Sequence, residues 1–323
     1  MSDKYDVVAL GELLIDFTEN GESEQGNPIM EANPGGAPCN VLAMLEKLGA
    51  KTAFIGKVGK DALGRMLNDK AAAQGIDMSG LFFDEEVHTT LAFVHKLPNG
   101  DRDFSFYRNP GADMSLTKEE VLQKADMIKG SKAFHFGTLS MTDENVEAAT
   151  KEAISIAKEA GCLISFDPNY RAPLWSSEDK AKEKMRYGLS LCDVLKISDN
   201  EVEFLTGKSD IVAGVKELIE EYDIPLVFAT AGPDGSYAFY KGEQYSQQAF
   251  LNKNTVETTG AGDTFMATAL YYAVTNGIDG LNGGILKEAL RYASLAASLI
   301  TTRKGALAVM PDRAEIDAYA ATF

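Results

Sequence analysis

The sequence predicts an α/β fold, a doubly wound and mostly parallel sheet with a small inserted β-sheet lid. Two observations predict it. Short apolar runs alternate with amphipathic helical patterns along most of the 323 residues, and such alternation places parallel strands under helices on both faces. Two segments, at about 12–31 and 88–107, break that rhythm and read as antiparallel strands leaving the main body. The length, with 45% hydrophobic and 24% charged residues, suits one large α/β domain over 1–323 carrying an insertion. No internal repeat is evident.

The strand expectations follow in order. Val7–Leu10, Thr52–Ile55, Ala133–Phe136, Leu163–Phe166, Val194–Ile197 and Leu226–Ala229 are short, apolar and bounded by Gly, Asp or Asn, as buried strands are. Val41, Leu45 and Leu48 recur at helical spacing before Gly49, and Met266, Leu270 and Val274 do so later. In the second inserted segment Leu91 and Phe93 alternate, Asn99-Gly100 favours a type I′ turn, and Phe104 and Phe106 alternate back. A sheet this small must pack on the body, on a ligand or on a second chain. Ala293–Ile300 reads as a buried helix.

Charge and cysteine usage exclude several function classes. Acidic residues number 48 against 31 basic ones, a net charge of −17, which argues against nucleic acid or an anionic membrane as partner. Cys39, Cys162 and Cys192 are far apart and form no C-x-x-C pair, so a disulfide framework or thiolate zinc site is not expected. The acidic N-terminal stretch lacks a signal-peptide layout, and no run approaches the ~20 apolar residues of a membrane span. A cytoplasmic location is expected.

The strongest chemical signal is Thr258-Thr259-Gly260-Ala261-Gly262-Asp263, which runs into a helical stripe. A glycine-rich turn at a helix start leaves backbone N–H groups pointing outward in a positive dipole field, so it binds an anion without basic side chains. Asp263, in the first helical turn beside that anion, can accept the proton of an attacking hydroxyl. Pro34-Gly35-Gly36-Ala37-Pro38-Cys39-Asn40 also precedes a helix; its glycines let a ligand lie on the backbone, and Asn40 offers both donor and acceptor to a hydroxyl. Thr206-Gly207-Lys208-Ser209 is no P-loop, because Val202 stands where the first glycine is required; Gly207 reads as a helix C-cap.

On these residues the chain resembles the ribokinase-like, or PfkB, family of sugar kinases over nearly its whole length. The Gly35-Gly36 to Asn40 stretch with Gly49 and Gly59, Asn200-Glu201-Val202-Glu203, Thr230 to Gly235, and Thr258 to Asp263 follow the family's order. Other stretches look like bacterial fructokinases, among them Gly11 to Asp16, Phe106 to Asp113, Phe134 to Ser140, and Asp167 to Trp175. The resemblance implies an ATP- and Mg²⁺-dependent kinase that phosphorylates a ketose, D-fructose first. It implies that Asp16, Gly35, Gly36, Asn40, Arg108 and Asn169 serve the substrate, with Asn169 facing phosphate. It gives catalysis to Asp263, the Gly260-Ala261-Gly262 amides and Arg171. Asn200, Thr230, Gly232, Gly235, Gly260 and Gly262 would serve the nucleotide, and Glu203 would reach Mg²⁺ through water. A homodimer formed through the lid is expected.

Glu257 stands where relatives have the Asp that helps coordinate a monovalent cation, and its longer side chain predicts activity that does not depend on potassium. A 2-keto-3-deoxygluconate kinase is the same-family alternative; the lid offers mainly Lys96, Arg102 and Arg108, which favours a neutral sugar. A nicotinamide dehydrogenase is excluded because Gly11-Glu12-Leu13-Leu14 is not G-x-G-x-x-G. A non-catalytic sugar or nucleotide sensor would keep the same pockets but has no need of Asp263 as a base.

Overall fold

The computed structural model describes residues 4–96 and 102–323. Its strands, in chain order, are β1 (Tyr5–Leu10), β2 (Leu14–Glu22), β3 (Pro28–Gly35), β4 (Thr52–Gly59), β5 (Asp77–Asp84), β6 (Leu91–Lys96), β7 (Arg102–Tyr107), β8 (Ser131–Gly137), β9 (Leu163–Asp167), β10 (Val194–Ser198), β11 (Leu226–Thr230), β12 (Ser236–Tyr240) and β13 (Glu243–Gln247). Nine of these form one sheet in the order β13-β12-β11-β10-β9-β8-β1-β4-β5. Only β12 and β13 run antiparallel to their neighbours. All six expected strands are in this sheet.

The period-two pattern explains how one sheet serves two cores. Val7 and Ala9 of β1 face a cluster shared with the helices Ala37–Lys47, Ala261–Asn276 and Gly283–Ile300. Val8 and Leu10 face the opposite cluster, which includes Phe134, Phe136 and Phe166. Successive strand side chains point to opposite faces, so an apolar run is buried on both.

Sequence reasoning missed β5, β12 and β13, toward the two ends of the sheet; β5 and β13 are edge strands with one side open, whereas β12, Ser-Tyr-Ala-Phe-Tyr, is paired on both sides and mostly buried. β13 reads Glu-Gln-Tyr-Ser-Gln and is half-exposed or exposed throughout. The remaining four strands form the small sheet β3-β2-β6-β7. The first expected inserted segment ended too early, for β3 continues to Gly35. The Asn99-Gly100 turn lies outside the described residues. Gly207 is the expected C-cap, at φ 72°. Among the described residues no helix is long and apolar enough to cross a membrane.

Chain order reverses between β1 and β8, since β4 and β5 extend one side and β9 to β11 the other. Ligands of open α/β sheets collect beyond the carboxyl ends of strands at such a reversal.

Candidate active site

Two cavities lie at that end of the sheet. The first, of about 440 Å³, is polar and lies between the small sheet and the body. Leu14, Asp16 and Thr18, alternate residues of β2, line it together with Asn33 of β3, as the two-residue period requires. The second, of about 420 Å³, is lined by Pro233, Phe250, Leu251, Phe265 and Ala297 among others, with no charged side chain. Both cavities touch Thr258 and Gly262.

That shared wall is the start of helix Ala261–Asn276. Gly260 precedes it in the left-handed region, at φ 76°, and among the described residues no side chain caps it; the Ala261 amide, expected in the anion cradle, is instead taken by the Thr258 carbonyl at 3.2 Å, which leaves the Gly260 and Gly262 amides for a ligand. Gly260 is also pressed against Ala306, whose Cβ would lie 2.7 Å from any Cβ placed there. Asp263 faces the polar cavity and accepts a hydrogen bond of 2.8 Å from Asn40 Nδ2. Burial raises its carboxyl above the ordinary range, against the opposing pull of Asn40, Arg171 and Lys196. Asn40 Oδ1 is buried and has no partner among the described residues, and a buried acceptor left open in a polar cavity suits a ligand hydroxyl.

Asp16 is pushed up to about 7, chiefly by burial, with Arg171 opposing. Gly35 is paired with Leu14 across the β2–β3 ladder, and a Cβ there would collide with Asp16 Oδ2. Gly36, at φ 121°, has no room for a Cβ against the Glu12 carbonyl. Glu12 in turn accepts the Ala37 amide at 2.8 Å and is raised to about 7 by burial.

Most of the expected site residues converge. Asp16, Gly36, Asn40, Asn169, Arg171, Glu257, Gly260, Gly262 and Asp263 line the polar cavity, while Thr230, Gly232, Gly235 and Ala261 line the other. Gly35 lies just behind. Asn169 reaches its position with φ 47°, a left-handed conformation that Asn tolerates better than most residues. Arg171 is exposed and donates to the Tyr170 carbonyl. Glu257 is buried, and its Oε1 accepts the Gly305 amide at 3.1 Å.

Three expected residues lie elsewhere. Arg108 does not line either cavity: its buried guanidinium is held by Asp113 at 2.7 Å, by Thr142 Oγ1 at 2.7 Å and by the Leu139 carbonyl at 2.9 Å. Asp113, Thr142 and Leu139 together occupy it, so the arginine fixes Leu139 at the cavity edge. Asn200 and Glu203 are exposed and line neither cavity. The buried carboxylate of their helix, Asp199–Thr206, is Glu201, which accepts the Tyr170 and Ser198 amides at 2.8 Å each. The capping box that begins at Ser198 turns Glu201 inward, and a position two residues later on a helix points away from that face.

Sequence reasoning also passed over Lys196 and Asp167, which form a buried ion pair of 3.1 Å on adjacent strands. Their signal was legible: a lysine inside the apolar run Val194–Ile197 contradicts its surroundings unless it is paired.

Comparison with known proteins agrees with this architecture. Residues 4–313 match the family described as pfkB family carbohydrate kinase. Fructokinase-2 of Solanum lycopersicum is 39% identical over 311 residues, covering 96% of this chain and 94% of that protein. A fructokinase from Vibrio cholerae O395, solved as a double mutant with fructose, ADP and a potassium ion bound, superposes with TM-score 0.87 at 30% identity, over 99% of each chain. The fructokinase of Xylella fastidiosa with bound ATP gives TM-score 0.88 at 27% identity, over 98% of each chain.

Proposed function

The chain belongs to the pfkB family of carbohydrate kinases, and from that premise we propose that it is a fructokinase, transferring the γ-phosphoryl group of ATP to a hydroxyl of D-fructose. The observation that carries the reading is the common wall at Thr258 and Gly262. The uncharged cavity suits a flat heteroaromatic base, the polar one a polyol, and phosphates running between them must cross the free amides of the helix start.

The chemistry follows from the side chains present. Asn40 Oδ1 and the Asp16 carboxylate accept sugar hydroxyl protons. Asp263 takes the proton of the attacking hydroxyl, whose oxygen bonds the γ-phosphorus as the bond to ADP breaks. The amides of Gly260 and Gly262, with Arg171 at the cavity mouth, stabilise the oxygens of the group in flight. Among the described residues no cluster of three or more His, Cys, Asp or Glu side chains could hold a metal, which fits a Mg²⁺ ion carried mainly by the ATP phosphates. That ion would offset phosphate charge, whereas Glu203, expected to reach it through water, is exposed and lines neither cavity.

A 2-keto-3-deoxy sugar acid fits less well. Glu12, Asp16, Glu257 and Asp263 line the polar cavity against Arg171 and Lys196, so a carboxylate on the substrate would meet excess negative charge. Phosphorylation of a sugar panel with Mg-ATP tests the assignment: fructose should have the highest kcat/KM. A higher value for 2-keto-3-deoxygluconate would overturn the substrate, and no turnover of any sugar would favour a sensor.

The small sheet is read as a lid over the polar cavity. On it Phe17 stacks on Phe93 at 5.0 Å, and Tyr107 packs edge-on against Phe93 while remaining 65% exposed. This aromatic patch suits pairing with the same sheet of a second chain. An ATP substrate and three cysteines outside any disulfide support a cytoplasmic location.

A further inference from the structure

The Asp167–Lys196 pair has no role in the chemistry above, and its position gives it one. Lys196 is 6% exposed and lies at the middle of β10, under the start of helix Ala261–Asn276. Its Nζ would be 3.3 Å from a Cβ on Gly262, the residue common to both cavities. Among the described residues its hydrogen-bond acceptor is Asp167 alone, with contacts of 3.1 and 3.3 Å. An ammonium carries three donors, so donors remain for a further acceptor. The carboxylates around it keep it charged: burial lowers its pKa, but Asp167, Glu201 and Asp263 together raise it above the ordinary lysine value. Burial in turn pushes Asp167 up to about 7 against the pull of Lys196.

A purely structural purpose explains this poorly. Two charges removed from water at the floor of a cavity are often no more stabilising than well-packed apolar residues of the same size. A donor at the junction of the cavities, beside the glycine that leaves room for it, is where charge accumulates on a group passing from one cavity to the other.

We propose that Lys196 is a catalytic residue whose ammonium donates to a non-bridging oxygen of the γ-phosphoryl group during transfer, held in place by Asp167. No bond to the lysine forms or breaks. The Gly260 and Gly262 amides approach the group from the helix side, and Lys196 approaches from the sheet side. The lysine also offsets the Asp263 carboxylate, which would otherwise repel the incoming phosphate. The proposal rests on the kinase reading but not on the identity of the sugar.

The test compares the full-length parent with Lys196→Met, Lys196→Arg and the double variant Asp167→Asn/Lys196→Met, on whichever sugar the parent phosphorylates. Sugar affinity is measured calorimetrically and folding by thermal melting. Lys196→Met should lower kcat by about 10²–10³-fold, the usual scale for one preorganised charge-stabilising donor, while sugar affinity changes less than about threefold. Lys196→Arg, which keeps the charge, should retain more activity than Lys196→Met. The double variant separates the two roles, because it leaves no unpaired buried charge. A structural ion pair predicts recovery in the double variant, and a catalytic ammonium predicts that it stays slow. A kcat within fivefold of the parent in either Met-containing variant would overturn the proposal, as would a double variant that melts like the parent and has recovered. A parent inactive on every sugar would instead overturn the kinase reading.

Discussion

Asp263 and Asp16 face one cavity, and their carboxyls both lie above the ordinary aspartate range because burial disfavours their charge. A base must be deprotonated to act, so the expected effects have a definite sign. Asp263→Asn keeps the contact with Asn40 in shape but removes proton acceptance; kcat should fall by about 10²–10⁴-fold with the thermal midpoint retained, and unchanged turnover would remove Asp263 from the mechanism. Asp16, at about 7, should bind hydroxyls well only as the carboxylate. Sugar KM should therefore rise as pH falls from 8 to 6, and Asp16→Asn should show a weaker but flatter dependence. A parent whose KM is constant over that range would show that Asp16 does not contact the sugar as an anion.

Helix Ala261–Asn276 and the loop before it work as one element. Its first amides are useful only if the loop holds Gly260 in its left-handed conformation, and a buried internal contact helps do so: Glu257 accepts the Gly305 amide, tying residues 257 and 305 together. The extra methylene of Glu relative to Asp, about 1.5 Å of reach, lets the side chain make this contact itself. Activity in potassium-free buffer should accordingly stay within about threefold of that in ~100 mM KCl, less than about 0.7 kcal/mol in the barrier. Tenfold or larger activation by potassium over an organic cation at equal ionic strength would show that Glu257 ligates a cation.

At the scale of the whole molecule, the small sheet is built of two hairpins, β2–β3 and β6–β7, each inserted into the large-sheet body, and it turns Asp16, Thr18 and Asn33 toward the cavity. Phe17, Phe93 and Tyr107, stacked or edge-on to one another, are left with exposed area, and small sheets need a partner for such a surface. Sedimentation at micromolar concentration should give a dimer, and Phe93→Asp should shift it toward monomer while the fold persists. A parent that sediments strictly as a monomer would count against pairing through this sheet.

The sequence by itself determined the large sheet apart from β5, β12 and β13, and many of the residues that line the two cavities. Buried strands such as Val194–Ile197 announce themselves because both faces must be apolar, and glycine-rich helix starts at residues 35–40 and 258–263 announce themselves because only small residues leave amides open to a ligand. Tertiary structure alone decided which polar side chains face the cavities. Arg108 was legible as a forked cation but not as the partner of Asp113, since that depends on which carboxylate is packed against it. Glu201 and Glu203 are two residues apart, and only the direction in which the helix docks turns one inward and the other to solvent. Lys196 and Asp167 are 29 residues apart, and what brings them together is the parallel pairing of β9 with β10. Local patterns record what each segment needs to be buried, whereas long-range pairing fixes where its charges end up.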